Sequence, residues 1–145
     1  RYIVSQFGVD VERPFMVQVS RFDPWKDPLG VIDAYRMVKD EVPEIQLVLI
    51  GSMAGGSAFQ GGTCYGATKH ALMGLSESLY LEVRDAGVKV SLIMPGSVAT
   101  DVFADRDRSW MLMSEDVAES VAHVLATPAN VLVHRLEIRA RTPRK

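Results

Sequence analysis

The sequence predicts an α/β fold in which a parallel sheet of four strands is flanked by helices. Short apolar runs alternate along the chain with longer segments of helical periodicity, and such alternation is typical of a parallel sheet. The chain has 145 residues, of which 48% are hydrophobic, so it can form one domain with a substantial core. The predicted strands are 15–20, 45–50, 88–94 and 131–139, and the predicted helices are 28–42, 64–86 and 114–127.

A strand-helix-strand unit is predicted for residues 1–50. Phe15 begins a run of β-forming residues, and Asp27 and Pro28 are suited to the N-cap and first position of a helix. The apolar residues of that helix are Leu29, Ile32, Val38 and Val42. The following strand, "IQLVLI", is apolar on both faces, with Ile45, Leu47 and Leu49 on one face and Val48 and Ile50 on the other. Both faces of this strand must therefore be covered.

The second helix carries a tyrosine and a lysine one turn apart. It begins near Thr63 and is followed by Gly87 as a stop signal, and its apolar stripe is Ala67, Leu72, Leu75, Leu79 and Val83. Tyr65 and Lys69 lie on the same face, and an ammonium beside a phenol favours the phenolate that a proton-transferring tyrosine requires. The same spacing also occurs on helices without function, where the tyrosine is a rim residue and the lysine a solvated charge.

The segments on either side of this helix favour the functional interpretation. "LVLIGSMAGG" is a strand that leads into Ser52, and "VKVSLIMPGSVATDVF" is a strand that ends at Pro95–Gly96 and is followed by Thr100. This order of motifs, from about Gly51 to about Arg139, closely resembles the C-terminal half of the short-chain dehydrogenase/reductase family. The resemblance implies a Rossmann-like fold and an NAD(P)-dependent oxidoreductase.

The resemblance also implies a role for each motif residue. Ser52 would polarise the substrate carbonyl and Tyr65 would be the general acid/base. Lys69 would bind the nicotinamide ribose and tune the tyrosine, while the turn at Pro95 and Gly96, together with Thr100, would touch the nicotinamide. The substrate loop would be 101–113.

Two features of that family are missing from the sequence. No Gly-x-x-x-Gly-x-Gly loop precedes the serine strand, and "GSMAGGS" has Ser57 where the third glycine should stand. The asparagine that the family uses before the serine strand has no counterpart either, since the sole asparagine is Asn130. We therefore expect cofactor binding to be lost or weak, and the chain to be a folding module without an assembled active site.

The N-terminal segment resembles a different family. "VSRFDPWK" and the "IDAYRMVKDEVPEIQLVLIG" unit are similar to the nucleotide-binding domain of retaining glycosyltransferases with two Rossmann domains, most of all to trehalose synthases that use nucleotide-glucose. The resemblance implies that Arg21 and Lys26 hold the donor diphosphate; otherwise they are two solvated cations. Nucleotide-sugar binding is therefore an alternative function.

The sequence thus predicts one chimeric Rossmann-like domain over 1–145, with 1–50 from the glycosyltransferase type and 51–145 from the dehydrogenase type. An engineered or recombined chimera is the simplest account. The expected spatial order of the strands is 1-2-3-4. Right-handed crossovers in one direction leave one sheet face bare. The resemblance to the dehydrogenase family implies that the last helix crosses to that face, and residues 1–11 could also cover it. If these two segments do not cover the face, we expect two chains to pair as a homodimer.

Charge and composition exclude several classes of function and partner. A net charge of −2 argues against a nucleic-acid partner, and no apolar run approaches the length of a membrane span. The single cysteine, Cys64, is consistent with a reducing cytoplasm. His70, His123 and His134 do not form a metal-binding set.

Overall fold

A computed structural model of the chain describes residues 14–18, 30, 33, 34, 37, 45–101 and 105–142. Its strands are β1 (Phe15–Gln18), β2 (Gln46–Ile50), β3 (Lys89–Pro95) and β4 (Arg135–Ile138). Its two fully bounded α-helices are α1 (Thr63–Val83) and α2 (Ser114–Leu125), and 3-10 turns cover Met53–Gly55 and Arg84–Ala86.

The four strands form one parallel sheet in the predicted order, β1-β2-β3-β4. Phe15 is opposite Gln46 between β1 and β2, and Gln46 is opposite Lys89 between β2 and β3. The N–H of Gly51 donates to the carbonyl of Ile93 at 2.8 Å, which continues the ladder one residue beyond β2. The predicted α/β, Rossmann-like class is confirmed.

The core consists of two apolar layers, one on each face of β2. On one face, the buried residues of the sheet pack against Leu72 and Leu79 of α1. On the other face, Val48 and Ile93 pack against Ala122, Val124 and Leu125 of α2. Helix α2 therefore lies on the face opposite α1, as the family resemblance implied, and both faces of β2 are covered.

The ends of the two helices have identifiable causes. After the 3-10 turn that follows α1, Gly87 adopts the left-handed conformation, with φ of 76°, that a glycine accommodates without strain. Helix α2 begins at Ser114 as predicted, and the carboxylate of Asp116 accepts a hydrogen bond of 2.7 Å from the N–H of Met113. Ala67, predicted to belong to the apolar stripe of α1, is exposed.

The prediction for the last strand was wrong at its start, since β4 begins at Arg135 and not at residue 131. The N–H of Val131 donates to the carbonyl of Pro128 at 2.9 Å, and the hydroxyl of Thr127 donates to the carbonyl of Val124 at 2.8 Å and lies 3.3 Å from that of Val131. These local bonds form a turn, and pairing with β3 begins only at the His134 carbonyl, which accepts from Leu92.

The predicted helix 28–42 is described at Gly30, Asp33, Ala34 and Met37, and all four residues are helical. Its remaining residues, including Asp27 and Pro28, lie outside the described residues, as does the segment 1–11.

No helix in the described part of the chain is long and apolar enough to cross a membrane. Because α2 covers the second face of the sheet, a second copy of the chain is not needed to cover that face. Homodimerisation stays a prediction.

We expect the two-sided burial of β2 to control folding. Leu49→Asp places a carboxylate at a position that is 5% exposed, and this change should remove several kcal/mol of stability and leave the chain unfolded. Leu81→Asp is the matched control, because Leu81 of α1 is 56% exposed and should tolerate the charge. Circular dichroism with urea titration would measure both variants, and a folded Leu49→Asp chain would contradict this account of the core.

Candidate active site

The predicted site residues lie at the edge of the sheet where β2 and β3 end. Ser52 follows β2, the turn at Pro95 and Gly96 ends β3, and α1 begins nearby with Tyr65 and Lys69. The carboxyl ends of parallel strands share one edge, which is where α/β proteins place their ligand sites.

Ser52 starts a short turn that its own side chain helps to stabilise. Its backbone is extended, and its hydroxyl oxygen accepts a hydrogen bond of 3.2 Å from the N–H of Ala54. The carbonyl of Ser52 also accepts from the N–H of Gly55 at 2.9 Å. The side chain is half-buried, so its hydroxyl has a defined direction while part of the residue remains accessible.

Lys69 brings the serine segment and the tyrosine together. The residue is 6% exposed, and its ammonium donates to the carbonyl of Gly51, the residue before Ser52, at 3.3 Å. The same nitrogen lies 5.8 Å from the centroid of the Tyr65 ring. The ammonium of Lys69 thus lies near both the residue before Ser52 and the ring of Tyr65. Because Lys69 is buried, the alternative interpretation as a solvated lysine is excluded.

Tyr65 lies at the mouth of the site. It is 45% exposed, and the ring of Phe59 meets it edge-on with the ring centroids 6.2 Å apart. Phe59 is itself 54% exposed and follows the serine turn in the loop that leads to α1. Sequence inspection missed Phe59, because a single aromatic residue in a Gly-rich loop carries no motif.

Gly55 permits a close approach of two backbones at the site, and Gly96 lies beside the same turn. A Cβ at Gly55 would lie 2.8 Å from the carbonyl oxygen of Lys69, so only glycine allows the serine turn to rest on α1. A Cβ at Gly96 would lie 3.4 Å from the sulfur of Met53, and the N–H of Gly96 donates to the carbonyl of Ile138 at 2.9 Å. The turn at Pro95 and Gly96 therefore lies beside the serine turn.

The loop after Gly96 is fixed at both ends. Val98 forms a parallel bridge with Leu112, and Arg108 donates to the carbonyl of Thr100 at 3.3 Å. Thr100 is exposed on this loop, and its described contact is with Arg108. Within the predicted substrate loop 101–113, residues 102–104 lie outside the described residues.

The other predicted residues add little to the site. Arg21 and Lys26 lie outside the described residues, so their role in nucleotide-sugar binding stays a prediction. Cys64 is a free, exposed thiol. The described histidines, cysteine and carboxylates form no group that could hold a metal ion.

The close contact at Gly55 provides a direct test of this geometry. Gly55→Ala should push the serine turn away from the backbone of Lys69 and lower the free energy of unfolding by about 1–3 kcal/mol. Gly56→Ala is the matched control, since a Cβ at Gly56 would meet Met94 at an ordinary 3.6 Å. Equal stability of the two variants by urea titration would show that the turn does not rest on α1.

Two curated relatives of different kinds match the chain. A trehalose synthase of Rubrobacter xylanophilus is 87% identical over 53 residues, which are 37% of this chain and 13% of that protein. A farnesol dehydrogenase of Aedes aegypti is 35% identical over 113 residues, which are 73% of this chain and 46% of that protein. The chain thus spans less than half the length of either relative.

Solved structures agree on the fold. The crystal structure of serine dehydrogenase from Escherichia coli superposes with a TM-score of 0.67 at 25% sequence identity, covering 94% of this chain and 69% of that one. A family model described as short chain dehydrogenase matches residues 30–110. The trehalose synthase match lies in the N-terminal region, which is consistent with a chimera of the two sequence types. The chain belongs to the short chain dehydrogenase family, and its N-terminal region matches trehalose synthases.

Proposed function

We propose that this chain is a chimeric α/β module that keeps the proton-transfer half of a short-chain dehydrogenase site and binds NAD(P) too weakly for measurable turnover. The observation that carries the proposal is the identity of the strand that pairs with β2, the strand before Ser52. On the side away from β3, β2 pairs with β1, a strand of the N-terminal region, and that region matches trehalose synthases.

The proton-transfer half has chemically sensible parts. Ser52 is held by its turn at the end of β2, where a hydroxyl could donate to a substrate carbonyl oxygen. Tyr65 is exposed enough to meet a substrate, and its phenol could exchange a proton with that oxygen. The buried ammonium of Lys69 lies 5.8 Å from the centroid of the Tyr65 ring, on the same face of α1.

The residues present fit the nicotinamide end of NAD(P) better than the phosphate end. Lys69 would hold the ribose, and the turn at Pro95 and Gly96, with Thr100, would hold the nicotinamide, from which the cofactor supplies a hydride when bound. The N–H of Gly96 donates to the carbonyl of Ile138, and this turn lies beside the serine turn at the carboxyl edge of the sheet. The sequence that joins β1 to the next helix, "VSRFDPWKDPLG", has no glycine repeat of the type that binds the pyrophosphate in this fold.

A second candidate function is residual carbonyl reduction. The contact between the Lys69 ammonium and the Gly51 carbonyl favours it, because this contact joins the serine segment to the helix that carries the tyrosine. Geometry alone supplies the acid and the orienting groups, whereas the reaction also needs a bound hydride donor.

We expect weak cofactor binding. Without the pyrophosphate loop, NADPH should bind with a Kd weaker than about 1 mM, which corresponds to less than about 4 kcal/mol of binding free energy. Isothermal titration of the 145-residue chain with NADPH would measure this value. A parallel titration with UDP-glucose tests the nucleotide-sugar alternative, and a low-micromolar Kd for NADPH would contradict the proposal.

We also expect no catalysed reduction. Wild type and Tyr65→Phe should both convert a reactive diketone with NADPH at the background rate, measured as the loss of absorbance at the NADPH band. Tyr65 is 45% exposed, so removing its hydroxyl should leave thermal stability nearly unchanged and make Tyr65→Phe a folded control. A rate in wild type that disappears in Tyr65→Phe would establish the second candidate function instead.

A further inference from the structure

We infer that Lys69 is a positioning residue for Ser52: it holds the serine turn, residues 51–56, against α1. One residue contacts the turn at two points. Its ammonium donates to the carbonyl of Gly51, and its own backbone carbonyl lies under Gly55. This inference rests on the proposed function in one respect: there, the Ser52 hydroxyl must point toward a substrate carbonyl oxygen.

The first contact fixes the residue before Ser52. The N–H of Gly51 donates to the carbonyl of Ile93 in β3 at 2.8 Å, and its carbonyl accepts from Lys69 at 3.3 Å. Gly51 is therefore held by β3 on one side and by α1 on the other. Because Ser52 is the next residue, these two bonds determine where its side chain begins.

The second contact fixes the far end of the turn. A Cβ at Gly55 would lie 2.8 Å from the carbonyl oxygen and 3.3 Å from the carbonyl carbon of Lys69. A Cβ at Gly66, one turn earlier on α1, would lie 3.9 Å from the carbonyl oxygen of Ala54. The turn therefore lies along α1, so movement of Lys69 would shift both of its ends.

Burial of the ammonium separates this role from general stability. Lys69 is 6% exposed, and taking an ammonium out of water costs free energy that its hydrogen bonds recover only in part. An apolar side chain of similar length should therefore preserve the fold. What it cannot replace is the charge-assisted bond to Gly51.

Amide hydrogen exchange of Lys69→Met, followed by NMR, tests the inference. The reporters are Ala54, whose N–H donates to the hydroxyl of Ser52, and Gly55, whose N–H donates to the carbonyl of Ser52. Loss of a charge-assisted hydrogen bond should lower their protection by roughly tenfold or more. The internal reference is Leu92 of β3, whose N–H donates to His134 and whose protection should not fall.

Lys89→Met is the matched control. Lys89 is also buried, at 8% exposed, but its ammonium donates to the carbonyls of Thr127 and Pro128, away from the serine turn. This variant should leave the protection of Ala54 and Gly55 unchanged relative to that of Leu92.

Restoring the ammonium completes the experiment. In Lys69→Cys combined with Cys64→Ser, alkylation with 2-bromoethylamine in denaturant creates a lysine analogue, and the refolded protein should regain the protection that the unalkylated double variant lacks. Unchanged protection of Ala54 and Gly55 in Lys69→Met, global unfolding of that variant, or no recovery after alkylation would each overturn the inference. None of these measurements uses NADPH, so a failure of the proposed function leaves them interpretable.

Discussion

Burial of β2 on both faces is the constraint on which the rest of the structure depends. The strand lies between β1 and β3 in the sheet and between the layers of α1 and α2. Each large apolar side chain that it buries contributes about 1.5–3 kcal/mol, more than a typical polar contact at the sheet edge. The junction predicted between the two kinds of sequence lies at the end of this strand, so in that prediction a single core contains residues of both kinds.

The candidate site follows from the same strand. Ser52 comes directly after β2, and the ladder bond between Gly51 and Ile93 carries the order of the sheet into the serine turn. Lys69 then joins that turn to α1. The residues that we propose for proton transfer are therefore positioned by elements from β2 onward. Tight binding of a dinucleotide would also depend on the segment that contains β1, and this difference is why we separate intact geometry from turnover.

Much of this could be predicted from the sequence, because the determining signals are local. The apolar residues on both faces of "IQLVLI" predicted that both faces are covered, and Gly87 marked the end of the predicted helix 64–86. Spaced motifs identified Ser52, Tyr65 and Lys69. The start of β4 could not be predicted, because "NVLVH" has the composition of a strand. Hydrogen bonds of Thr127 and Val131 hold a turn there, and the buried ammonium of Lys89 in β3 adds bonds to Thr127 and Pro128. The contacts at Gly55 and Phe59 likewise arise only when the serine turn and α1 come together.

We expect the two kinds of sequence to form one cooperative unit around β2. The chain has two tryptophans, Trp25 in the N-terminal segment and Trp110 in the dehydrogenase-like segment. Urea unfolding followed by fluorescence in Trp25→Phe and in Trp110→Phe reports on one segment at a time, with circular dichroism as the common reference. One cooperative unit predicts that fluorescence and circular dichroism give coincident transitions in each variant, with equal dependence on urea. A transition of the Trp25 signal at clearly lower urea than that of the Trp110 signal would show that the N-terminal segment unfolds separately, and would contradict the account.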